Sequence, residues 1–135
     1  MAFENRGHEA VDSAAGRVNI ESVWLPSMLF GDGVSWTTQD ASHLHVSFTA
    51  YNEAAEIHYD IDEKSQLKTV SMPRWGNPDN TKCRYENFGC IAEAEGRFGG
   101  YTIPSCMRVG WSFATDRFES NGEFFRVTID DATYR

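Results

Sequence analysis

The chain is 135 residues long, 41% hydrophobic and 24% charged, with a formal charge of −8 at pH 7. That length fits one domain able to bury a core without disulfide or metal staples. Twelve Lys and Arg against twenty Asp and Glu exclude the basic surface with which proteins neutralise duplex phosphates, and the same sign disfavours anionic membranes. Nucleic acid and membrane are therefore set aside as partners.

Cys83, Cys90 and Cys106 form an odd set, with no C-x-x-C and no Cys/His zinc spacing, so neither a metal nor a cofactor is expected. Met1 to Ala10 carries charges and no apolar run, which predicts neither a signal peptide nor a spanning segment. Free thiols in a reducing cytoplasm are the expectation.

In chain order, residues 1–15 read as an unpatterned lead-in and 16–135 as one domain. From Gly16 to Phe30 the apolar positions Val18, Ile20, Val23, Trp24, Leu25, Met28 and Leu29 follow a helical face, with Pro26 set to break or delay its last turn. The period then changes to two. Strands are predicted from Val34, over His43 to Tyr51, Ala54 to Asp62 and Gln66 to Arg74, with a loop from Trp75 to Lys82. Further strands cover Arg84 to Phe98, Tyr101 to Phe113 and Phe124 to Thr133. Gly99-Gly100 suits a two-residue hairpin turn needing φ > 0 at both positions, with Phe98 opposite Tyr101. Seven or eight strands joined by short turns must pair antiparallel. The predicted architecture is α+β: a curved antiparallel sheet, an incomplete barrel in up-and-down order, with one N-terminal helix packed on it.

Three groups of side chains are candidates for function. With Asn52-Glu53 as the turn, position 45 pairs with 60 and 47 with 58, so His45 faces Asp60 with His58 one diagonal away. Such a set can act as a general base or ligate a metal, but the apolar alternation directly predicts it as the solvated face of a two-faced sheet. Glu93, Glu95 and Arg97 share a face, with Arg108 on the neighbouring strand; they suit a polar site or ordinary surface pairing. The aromatics Trp24, Trp36, Tyr51, Trp75, Tyr101 and Trp111, with Arg108, are the candidate lining of an apolar pocket between sheet and helix, or simply core. Cys90 and Cys106 lie on facing strands out of register, at 90 with 109 and 106 with 93, which argues against a disulfide. No phosphate-cradling glycine loop and no G-x-S-x-G elbow occurs.

Val23-Trp24-Leu25-Pro26-Ser27, Trp36, Asp62-Glu63, Gly99-Gly100-Tyr101-Thr102-Ile103-Pro104-Ser105 and Val109-Gly110-Trp111, closing on Phe124-Phe125-Arg126-Val127 and Tyr134, carry a resemblance. Over residues 16–135 the chain resembles the C-terminal half of an uncharacterised bacterial domain family. In that family a Trp-Leu-Pro helix precedes a Trp-bearing strand and a Gly-Tyr-x-Ile-Pro hairpin. The resemblance implies a curved sheet like that of lipoprotein carriers, which hold apolar ligands, and no established activity. Ser65-Gln66 stands where the family has a turn glycine. Its members are longer ahead of the helix, and a missing half leaves an open edge that a second copy would cover. Similar short reading frames occur on mobile gene cassettes. The expectation is a non-catalytic binding protein for a small apolar or amphipathic molecule, assembled as a homodimer. The alternatives are a small enzyme using the polar groups, or an interaction module using the sheet edge.

Overall fold

The computed structural model describes residues 16–50 and 53–135. A short helix, α1 (residues 16–21), passes into 3-10 turns at Ser22–Trp24 and Pro26–Phe30. The break between them is Leu25, at φ −128° and ψ 73°, because the ring of Pro26 bars the residue before it from the helical region. The single helix expected over 16–30 is thus three short pieces. Together they press Ile20, Val23 and Leu29 into the core.

Seven strands follow: β1 (Ser35–Thr38), β2 (His43–Ala50), β3 (Glu53–Ile61), β4 (Leu67–Gly76), β5 (Arg84–Phe98), β6 (Tyr101–Trp111) and β7 (Glu123–Thr128). They form one antiparallel sheet whose spatial order is the chain order, as short connections require. The sheet stays open, with β1 and β7 at its edges. The α+β reading, with its curved up-and-down sheet and helix packed on one face, describes this architecture.

Period-two patterning decides which face the helical segment covers. Leu44, Tyr59, Val70, Cys90, Val109 and Phe125 are successive cross-strand partners from β2 to β7. Val46, Ile57, Met72, Phe88 and Met107 join this row in the core. Phe88, Ile57 and Val46 are at most 2% exposed, and each contributes roughly 1.5–3 kcal/mol by leaving water. A second row runs Thr37, His45, His58, Ser71, Gly89, Gly110; it lies on the outer face.

Register departs from expectation in two places. Ala50 pairs with Glu53, His45 with His58 and His43 with Asp60, a slip of two residues from a turn centred on Asn52-Glu53. The expected turn itself lies partly outside the described residues. A slip of two keeps every side chain on its face and changes only its partner. In β5–β6 the pairs 97 with 102, 95 with 104 and 91 with 108 hold, but Cys106 pairs with Ala94, not Glu93, because the register shifts around Ala94.

The hairpin turn has φ 54° at Gly99 and 85° at Gly100, the left-handed values only glycine takes without strain. Phe98 and Tyr101 pair across it, and the Tyr101 ring packs on Tyr134 at 4.8 Å between centroids. The expected loop after β4 starts later than Trp75, since both Trp75 and Gly76 continue the strand. Arg84 closes that loop by donating from Nη1 and Nη2 to the two carboxylate oxygens of Asp79, at 3.0 Å each.

Candidate functional site

An apolar cleft lies between α1 with its following turn and the β5–β7 end of the sheet. Ile20, Val23 and Trp24 form its roof, Phe88, Cys90 and Val109 its floor, and Phe124 and Phe125 its mouth. The register shift between Val109 and Gly110 lets adjacent residues of β7 both border it. Phe124 is 60% exposed and its ring stands 6.1 Å from that of Phe88. The cleft encloses about 60 Å³.

Charge at the cleft comes from Arg17, Glu21 and Arg74. Arg17 donates to Glu21 across one helical turn at 2.9 Å, and its guanidinium approaches the Phe125 ring at 6.0 Å. Arg74 is buried with its guanidinium over the rings of Phe88 (4.5 Å) and Trp111 (5.0 Å), an arrangement that suits a desolvated cation. Burial, and secondarily the neighbouring Arg17, pull its pKa below the usual value. A side chain on Gly16 would meet Arg74 Cγ at 2.8 Å, so the bare glycine lets α1 lie on this arginine. Burial pushes the Cys90 thiol up to about 12, which leaves it protonated and a weak nucleophile. Tyr59 is likewise pushed up to about 12 by burial, with the Ser22 hydroxyl acting in the opposite sense.

Two contacts hold the roof down. Trp24 donates from Nε1 to the Pro104 carbonyl at 3.1 Å. Tyr134, near the C-terminal end, donates its hydroxyl to the Trp24 carbonyl at 3.0 Å.

The outer face carries His43, His45 and His58. His45 and His58 are direct partners, with ring centroids 4.7 Å apart. His43 bonds Asp40 through Nδ1 at 2.8 Å and lies 3.6 Å from Asp60 through Nε2. Asp60 also accepts from the Thr69 hydroxyl at 2.7 Å. The bond to Asp40 raises the His43 pKa. Arg108 reaches away from Glu93 and Glu95 and binds Glu123 at 2.6 Å and Glu119 at 3.5 Å. Glu95 instead accepts from the Leu67 backbone N–H at 2.9 Å. Among the described residues no group of three or more His, Cys, Asp or Glu side chains is arranged to hold a metal, and no helix is long and apolar enough to cross a membrane.

The family of unknown function DUF6920 matches residues 1–134. The chain belongs to that family. No curated protein and no solved structure matches the chain. The resemblance to an uncharacterised domain family holds at that level. Membership in this family assigns no chemistry to the side chains.

Of the expected aromatic lining, Trp24 borders the cleft and Trp111 packs behind it against Phe88 and Arg74. The others are elsewhere. Trp36 stacks on Phe30 near the β1 edge, Trp75 packs on Tyr85, Tyr101 sits at the hairpin tip, and Arg108 is tied into its ion pairs on the outer face. Tyr51 lies outside the described residues. Of the polar set, His45 and His58 meet, but Asp60 pairs with His43, while Glu93 and Arg97 are exposed. Sequence reasoning missed Arg74, Phe88 and Phe124 as cleft residues. Phe88 sits in the alternating run of β5, and that signal could have placed it on the covered face. Arg74 lies at an apolar-phase position of β4, two after Met72 and four after Val70, and only its charge argued against the core.

Proposed function

We propose that this protein is a non-catalytic binding protein that takes the apolar end of a small amphipathic molecule into the cleft between α1 and the sheet. The supporting observation is the cleft itself: aliphatic and aromatic walls, a mouth of two half-exposed to exposed phenylalanines, and charged Arg17 and Glu21 at the rim. Its volume limits the guest. Ligand pockets run to about 300–1,000 Å³, and a dry cavity of about 150 Å³ admits a benzene ring. At about 60 Å³ this cleft receives the tip of an alkyl chain, and the remainder lies across Phe124 and Phe125.

The same reading includes a homodimer in a reducing cytoplasm. Phe30 is 80% exposed and stacks on the 40% exposed Trp36 beside the open edge of β1, a combination that natural sheets cover. Cys90 and Cys106 are free thiols, in keeping with that compartment. Binding is favoured over catalysis because His43, His58, Glu93 and Arg97 of the outer face are exposed, and Cys90, the nucleophile in the cleft, is held protonated.

Titration with phenylnaphthylamine, which fluoresces when desolvated, tests the binding reading. Saturable fluorescence displaced by decanol, and about tenfold weaker in Phe124→Ser as expected from lost apolar contact, supports it. Fluorescence that does not saturate, or that Phe124→Ser leaves unchanged, refutes it.

A further inference from the structure

The outer face holds a feature the cleft does not use. His45 on β2 and His58 on β3 are direct cross-strand partners, their rings 4.7 Å apart and tilted by 40°. A first-row metal bound to two imidazole nitrogens at about 2.0–2.1 Å needs them about 3 Å apart. Directly opposed residues of an antiparallel pair have Cβ atoms about 4.5–5.5 Å apart, a span from which a change of rotamer can bring two imidazole nitrogens to that separation. We infer that His45 and His58 form a chelating pair for a borderline divalent transition-metal ion such as Cu²⁺ or Zn²⁺, with water completing the coordination.

Three observations single out this pair. The Thr37 hydroxyl lies 3.5 Å from His45 Nδ1, within reach of a hydrogen bond accepted from an Nδ1–H, the tautomer that leaves Nε2 as the lone-pair donor to a metal. His43, two residues along the same strand, is committed elsewhere: Nδ1 bonds Asp40 and Nε2 faces Asp60. The carboxylates of Asp40 and Asp60 beside it, on a chain of net charge −8, favour a cation over an anion. With no three-ligand cluster among the described residues, the site offers two protein ligands, which predicts micromolar and not nanomolar affinity. Nitrogen donors also exclude the hard ions Mg²⁺ and Ca²⁺, which take oxygen.

Calorimetric titration with Cu²⁺ and with Zn²⁺, against Mg²⁺ as control, tests this, with His45→Gln, His58→Gln and His43→Gln compared. One ion per chain is expected. Affinity should fall at least tenfold in either His45→Gln or His58→Gln and less than twofold in His43→Gln, and Mg²⁺ should give no heat. Electron paramagnetic resonance of the Cu²⁺ complex should show nitrogen coupling that is reduced in the His45 and His58 variants. Binding unchanged in those two variants, an equal loss in His43→Gln, or no Cu²⁺ binding to the natural chain overturns the assignment. The cleft plays no part in it, so this result and the probe titration stand or fall separately.

Discussion

At the residue scale, the clearest electrostatic device is the carboxylate of Glu123. Arg108 and Arg126 both donate to it, and they hold its pKa down to about 2. A carboxyl with a depressed folded-state pKa contributes stability that is fully present above its ordinary value and is lost as pH falls through the folded value. The window here runs from about pH 5 down to about pH 2. Thermal unfolding followed across that window should therefore show Glu123→Gln with a flatter acid dependence than the natural chain, and a lower melting temperature at neutral pH. Identical acid profiles would mean that the two arginines are screened by solvent and contribute nothing. Close approach decides other positions: a Cβ on Gly122 would lie 1.9 Å from the Trp111 carbonyl oxygen. That contact explains why glycine stands where the π-turn Phe118–Gly122 meets the end of β6.

At the element scale, the strands were legible because Val, Ile, Tyr and Phe alternate with polar residues over long runs, and the face assignments followed from that period. What alternation does not encode is partner choice. The slip of the β2–β3 register preserved both faces while exchanging Asp60 for His58 opposite His45, and nothing in the pattern of either strand distinguishes the two pairings. The helical segment was legible in composition and not in continuity, since Pro26 divides it at Leu25. Short 3-10 pieces have little stability of their own. This roof is held by packing, by Trp24 on Pro104 and by Tyr134 on Trp24. Tyr134→Phe removes the last of these, a loss of about 0.5–1.5 kcal/mol. Hydrogen exchange should report faster exchange confined to residues 16–24, with β2 to β5 unchanged. Uniform acceleration throughout the sheet would show that the roof is no separate unit.

At the scale of the whole molecule, a sheet with two open edges carries a discontinuous helical cover on one face, and the cleft forms where that cover meets β5 to β7. The aromatics that suggested a cavity are spread over it: Trp24 at the cleft, Trp75 against Tyr85, and Trp36 near the β1 edge. Aromatic density was therefore a sound sign of strands and a poor guide to the lining, because tryptophan serves core, edge and pocket alike. The cleft's most exposed wall, Phe124, owes its place to a register shift that no periodicity announces. Native mass spectrometry of protein purified without detergent, before and after gentle activation, reads both whether the cleft receives a small amphipathic guest and whether the molecule is paired. The predicted result is a species of two chains, each of 15.2 kDa, carrying a small organic molecule that activation releases and that Phe124→Ser does not retain. A bare single chain, unchanged by activation and the same in the variant, would contradict both the guest and the pairing.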